Sequence, residues 1–354
     1  METGCQYGIL PRLAGAFGAA PTLQTGAAMN SSPIRFAAFV IAVAGLFVSG
    51  PVWPDAYPSR PLRLVIAGPA AGGADALARP IAKKLSGAFG QQVVVENRGG
   101  GAGLLASQSV LAARPDGYTL MFANAINMSV APAIRNDLPL DPVNDFAPVT
   151  MVATTSLVIA VHPSLPARSL GELVALAKSR PGELLFASNG EGTIQHLTIA
   201  MFSAVSGIRV VHVPHKGGTP AVLDTVGGHT EAIITAMPTL LAQVRASRLR
   251  ALAVTSPKRS HALPQTPTVA ESGWPGFRVV HWYGVFAHSK TPQFVIARWH
   301  EELRKAGEDA DVRAAISREG ADLAINGPVA LAEFQRADIA QWRNVVRDAR
   351  ISPK

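Results

Sequence analysis

The stretch "ASNGEGTIQHLTIAMF" (187–202) leads from small, glycine-rich residues straight into an apolar helical pattern. Ser188, Asn189, Gly190, Gly192 and Thr193 offer hydroxyl, amide and backbone donors at the start of that helix, and His196 lies one turn in. A helix N-terminus presents unpaired N–H groups and partial positive charge, so this turn suits a carboxylate. A nucleotide P-loop would need a Lys-Ser/Thr pair closing the glycine run, and none is here. His196 fits either a ligand-facing role or a hydrogen bond within its own domain.

Three other stretches compete for chemistry. "GPAAGGADALAR" (68–79) runs from a strand into a helix, and Ala71, Gly72 and Gly73 either admit an anion or make a tight turn. In "ENRGGGAGLLAS" (96–107), Gly101, Gly103 and Ala106 match a dinucleotide spacing. No acidic residue ends the following strand to hold a ribose, so a structural glycine loop is the better reading. In "HVPHKGGTPAVLDTVGG" (212–228), His212 and His215, with His229 beyond, match no standard metal-ligand spacing. Lys216-Gly217-Gly218-Thr219 instead reads as a second donor-rich loop before a helix starting at Pro220. The chain lacks G-x-S-x-G, H-E-x-x-H and S-x-x-K, and Ser188 with His196 has no third residue placed to complete a triad. Convergent donors without a nucleophile point to binding, with no metal and no cofactor.

Alternating strand and helix patterns must position these turns. "LRLVIAG" (62–68) reads as a buried strand and residues 75–90 as a helix with Asp75 as N-cap and Gly90 as stop. "QQVVVEN", "LLASQSVLAAR" and "DGYTLMFAN" continue as strand, helix and strand. A second series begins near Val149, with a capping box at Ser169 and Glu172. Helices close the chain after "HWYGVFAHSKTP". The alternation predicts α/β layers on a largely parallel sheet.

Composition narrows the class further. The chain is 354 residues, 48% hydrophobic and 16% charged, with net charge +8. Its basic residues are scattered, with no arm or basic helix, which argues against nucleic acid as a partner. Arg35 followed by an apolar run (36–48) and small residues to Ala56 reads as a secretory signal peptide, with Met29 as the true start. The only cysteine, Cys5, lies in that leader, so the exported protein has no disulfide and no thiol. Removing residues 1–56 takes away two basic and two acidic residues and leaves the charge at +8.

These segments together resemble the extracytoplasmic solute receptors of tripartite tricarboxylate transporters, the Bug or TctC-like family. The resemblance runs from about Tyr57 to Ile351 and is carried by "YPSRPLRLVI", "AGGADALAR", "VVVENRGGGAG", "RPDGYTLMFAN", "LPLDPVNDFAPVTMVA", "ASNGEGTIQHL", "VHVPHKGGTPAVLDTVGGH", "LRALAVTSPKRSHALPQTPTVAESGWPGF" and "HWYGVFAHSKTP", in the family's order. It implies a two-lobed periplasmic binding protein of the type II, Venus-flytrap class, each lobe a mainly parallel sheet flanked by helices. Residues 57–155 with 282–354 would form one lobe and 156–281 the other. It implies no enzymatic activity, a small carboxylate held between the lobes, delivery to membrane permease subunits, and a monomer. Ala71, Gly72, Gly73, Ser188, Gly190, Gly192 and Thr193 match the family's carboxylate-contacting turns. Asn124 and Asn127 are added at the strand end after "DGYTL", and Asp224 matches an acidic helix position.

Three departures bear on the ligand. Ala67-Gly68 stands where the family has a proline–phenylalanine pair, His215 replaces a tyrosine, and Thr235 replaces an acid near the cleft. These changes imply a roomier, more anion-tolerant cleft, suited to a ligand with more than one carboxylate or to an aromatic acid. A periplasmic sensor serving a signalling partner, and a hydrolase using His196 or His215, are the rival readings.

Overall fold

The computed structural model describes residues 57–348. The leader, with Cys5, Met29 and Ala56, lies outside the described residues. The chain opens with β1 (Leu62–Ile66), α1 (Gly73–Phe89), β2 (Val93–Asn97), α2 (Leu104–Leu111) and β3 (Thr119–Asn124). A π-helical turn (Ile126–Val130), the short α3 (Ala131–Ile134) and the long β4 (Phe146–Val161) follow. The second series is α4 (Leu170–Ser179), β5 (Leu185–Ser188), α5 (Ile194–Ser206), β6 (Val211–Pro214), α6 (Gly218–Val226), β7 (Ala232–Ala236), α7 (Met237–Arg245) and β8 (Arg250–Val254). The chain then returns through β9 (Val280–His288), α8 (Gln293–Glu308), α9 (Ala310–Arg318), β10 (Ala321–Leu323) and α10 (Pro328–Asp348).

Two lobes share one strand. Among the described residues the strand order is β2-β1-β3-β9-β4-β7-β5-β6, and β8 and β10 also pair with β4. The first part of β4, Phe146 to Ser156, pairs antiparallel with β9, and its last part, Leu157 to Val161, pairs antiparallel with β7. Register shifts between Pro148/Thr150 and Met151/Ala153 mark irregularities of the kind that bend a strand. Each lobe therefore has a parallel trio, β2-β1-β3 or β6-β5-β7, completed by antiparallel partners, so the sheet is mixed. The boundaries drawn from sequence fall inside β4 and near the start of β9.

Local chemistry explains the elements. β1 reads as an almost continuous apolar run because helices cover both faces of its sheet, and four of its five residues are buried. In α1, Leu77, Ala78, Ile81, Ala82, Leu85 and Phe89 repeat at helical spacing and are buried. Phe89 packs on fully buried Trp299 of α8 with ring centroids 4.9 Å apart. Gly90 ends α1 with φ 62°, the left-handed stop expected of it. The N-cap of α1 is Gly72, three residues earlier than the sequence reading, and Asp75 sits inside the first turn. α6 likewise begins at Gly218 rather than Pro220.

The Ser169 cap forms as read. Its Oγ accepts from the Glu172 backbone N–H at 3.2 Å, while the Glu172 carboxylate reaches back to the Arg168 N–H at 2.6 Å. Replacing Ser169 with alanine should cost about 1 kcal/mol and lower the melting temperature by roughly 2–4 °C. A thermal melt showing no change would mean the Glu172 arm alone holds this helix start.

Candidate functional site

Four strand-to-helix turns meet at one cleft of about 800 Å³. They lie between β1 and α1, β2 and α2, β5 and α5, and β6 and α6. All four lie at the carboxyl ends of parallel strands, so each brings a helix N-terminus toward the same space. Each such end favours a nearby negative charge by about 0.3–1 kcal/mol. Among the lining side chains, Arg135 and Lys216 are basic and Glu191 is acidic.

The β1 turn is braced from behind. The Asp75 carboxylate accepts from the Ala71 N–H at 3.0 Å, Arg79 Nε at 2.9 Å and Asn97 Nδ2 at 3.0 Å. Burial pushes the Asp75 pKa up, but these bonds outweigh it and hold the carboxyl below its usual range. Asn124 is also a brace: its Nδ2 donates to the Ala67 carbonyl at 3.1 Å and its Oδ1 accepts from the Ile126 N–H at 2.8 Å.

The 188–193 turn folds on its own polar groups. Thr193 caps α5, donating from Oγ1 to the Gly190 carbonyl at 2.7 Å and accepting from the His196 N–H at 3.4 Å. Gly192 N–H donates to His196 Nδ1 at 3.1 Å, and the His196 ring stacks on His212 with centroids 4.0 Å apart. Ser188 Oγ meets His212 Nε2 at 2.6 Å and also accepts from the Gly190 N–H. His215 and Gly217 tie the β6 turn to this one, donating to the Ser188 and Asn189 carbonyls at 3.1 Å each. Thr235 Oγ1 donates to Asn189 Oδ1 at 2.8 Å.

The two lobes touch across the cleft. Thr219 Oγ1 donates to the Ala71 carbonyl at 3.4 Å, and a Cβ on Gly73 would stand 2.9 Å from Thr239 Oγ1. These approaches set the β1 turn and the start of α1 against the α6 and α7 starts of the other lobe.

Of the residues singled out from sequence, Gly72, Gly73, Asn124, Asn189, Gly190, Gly192, Thr193 and His215 line the cleft. The structure places Ala71, Asn127, Ser188, His196, Asp224 and Thr235 outside that lining. Asn127 Oδ1 accepts from the Asn124 N–H, and Asp224 pairs with His215 Nε2 at 3.4 Å. The glycine loop at 99–103, read as structural, forms part of the wall. Ala67 and Gly68, the departures from the family pair, line it too. Sequence reading missed Gln195, Thr239, His281 and Tyr283, which also face the cleft. The phase of α5 was the available signal for Gln195, and the alternation of β9 for His281 and Tyr283.

Two histidines are neutral at ordinary pH. Burial, with His196 and His215 nearby, pulls His212 down to about 4. Burial alone pulls His281 down to about 3. The short Ser188–His212 contact resembles a Ser–His dyad, but Ser188 is 0% exposed and neither residue lines the cleft. The arrangement offers an anion many backbone donors, and the Ser188–His212 pair does not face it.

Residues 77–351 match the family described as tripartite tricarboxylate transporter family receptor. Protein BugT of Bordetella pertussis is 35% identical over 319 residues, covering 87% of this chain and 97% of that protein. The structure of R. palustris Rpa4515 with adipate aligns at TM-score 0.82 and 30% identity, over 84% of this chain and 100% of that one. MatC from Rhodopseudomonas palustris with bound malate aligns at TM-score 0.77 and 27% identity, over 82% and 100%. The extent of these matches, with the two-lobed fold and the cleft of helix N-termini, makes the chain a member of the tripartite tricarboxylate transporter receptor family, which resembles the Bug proteins across nearly all of residues 57–348.

Proposed function

We propose that this protein captures a small carboxylate between its lobes in the periplasm and delivers it to the permease subunits of a tripartite tricarboxylate-type transporter. The convergence of four helix N-termini on one cleft carries this reading, because it supplies donors and positive potential without chemistry. Similarity to proteins solved with adipate and with malate supports an organic di- or tricarboxylate, and the opening left by Ala67, Gly68 and His215 leaves room for an aromatic acid. The lobes are taken as residues 57–155 with 282–354, and 156–281. A ligand that touches both lobes only when they are closed shifts the population toward the closed state. Export by the signal peptide and action as a monomer complete the proposal. No helix among the described residues is long and apolar enough to cross a membrane. A hydrolase using His196 or His215 is the less favoured reading: His196 is turned to the Gly192 N–H and the His212 ring, and His215, which lines the cleft, faces Asp224.

A thermal-shift screen against mono-, di- and tricarboxylates and aromatic acids tests the reading. A ligand at a hundred times its dissociation constant adds about 2.7 kcal/mol, which should raise the melting temperature by roughly 4–8 °C. Recovery of the compound unchanged is the expected companion result. A response confined to amines, or conversion of the bound acid to a product, would sink the reading.

A further inference from the structure

Two buried side chains in the cleft have hydrogen-bonding atoms that no described residue satisfies. Gln195, the second residue of α5, is 0% exposed, and neither its Nε2 nor its Oε1 has a partner. His281 of β9 is 3% exposed, and its Nδ1 is unpartnered. Both face the cleft. The other amides of the wall contrast with them: both amide atoms of Asn124 bond to backbone, and Asn189 Oδ1 is held by Thr235. Burying an amide with both ends bare is costly, so the cleft's occupant is expected to supply partners.

The inventory of donors and acceptors selects the chemistry. An ionised carboxylate or a ketone only accepts, which leaves Gln195 Oε1 bare. An ammonium group only donates, which leaves Nε2 bare. A hydroxyl does both, and so matches the amide atom for atom. The imidazole of His281, held neutral by burial, also presents one donor and one acceptor. Neither side chain carries charge to neutralise an anion, a task the helix N-termini already perform.

We propose that Gln195 and His281 read a hydroxyl group on the ligand, which makes this protein a receptor for a hydroxy-carboxylate. The inference rests on the carboxylate-capture reading above. It divides the work in the cleft: backbone N–H groups hold ionised oxygens, and the buried amide and imidazole discriminate the hydroxyl. A site built to hydrogen-bond a hydroxyl rejects the analogue that lacks it, because the analogue leaves buried polar groups unpaired.

The test is calorimetric titration of the protein with acids that differ only by the hydroxyl: malate against succinate, citrate against tricarballylate, and mandelate against phenylacetate. The protein should favour the hydroxylated member of at least one pair by roughly tenfold or more. Gln195→Met and His281→Phe should each reduce that preference severalfold. Gln195→Met, which removes no protein hydrogen bond, should also leave the ligand-free melting temperature equal or higher, showing that the variant folds. Binding of both members with equal affinity would overturn the inference alone. A preference that survives in both folded variants would also overturn it and assign the amide to bound water. Failure of every acid to bind would instead remove the carboxylate-capture reading, and this inference with it.

Discussion

Gly190→Val is expected to weaken carboxylate binding by roughly a hundredfold or more while leaving a cooperatively folded protein. Gly190 has φ 134°, a region that side-chain-bearing residues reach only at a cost of about 1–3 kcal/mol. A Cβ there would also stand 2.9 Å from the His215 backbone oxygen, which is not free to swing away because the His215 N–H is bonded to Ser188. The backbone must therefore move. Its carbonyl is the acceptor for Thr193 Oγ1, and its N–H donates to Ser188 Oγ, so the cap of α5 moves with it. The damage falls on the turn that presents donors to the cleft and spares the lobe cores, where the large buried side chains lie. Titration of the variant should show the loss, and far-UV circular dichroism should show retained structure. A dissociation constant within about threefold of the parent protein would mean that this turn does not hold the ligand.

Acid should destabilise the protein well before its carboxylates titrate. His281 is pulled down to about 3 and His212 to about 4, against an ordinary value of 6.5. Between those limits the unfolded chain binds more protons than the folded one. Stability is therefore complete above about pH 6.5 and falls as the pH drops through the window toward 4 and then 3. Each pH unit costs about 1.4 kcal/mol per fully buried histidine. At about pH 5 the loss should reach about 2 kcal/mol from His281, with about 1 kcal/mol more from the partly exposed His212. Denaturant unfolding at a series of pH values measures this directly, and His281→Phe should flatten the slope. Equal stability at about pH 7 and pH 5 would show that the two rings are solvated in the folded protein. The same protonation bears on the site, because His212 stacks on the ring that holds the Gly192 N–H.

The readings that held from sequence rested on local physics. The strands 62–66, 93–97 and 119–124, the Gly90 stop and the Ser169 cap each follow from residue types within a few positions of one another. The start of α1 shows the limit of that reasoning. Asp75 looks like an N-cap, but its carboxylate is drawn back to Ala71, Arg79 and Asn97, and the helix starts at Gly73. A carboxylate with three donors in reach does not need the capping position, and one of those donors, Asn97, lies 22 positions away in sequence.

Within the site the division is sharper. The residue types of this chain by themselves determined that glycine-rich turns precede helices and that those turns can bind an anion, since backbone N–H groups and helix ends need no distant partner to be polarised. Only the tertiary structure decided which polar side chains face the cleft. Ser188 turns its hydroxyl inward to His212, 24 positions away, and Thr235 is spent on Asn189, 46 positions away. Gln195 and His281 reach the cleft unpaired because α5 and β9 pack with those faces toward it. Whether a polar atom is satisfied depends on what the rest of the chain brings beside it, and no local pattern encodes that.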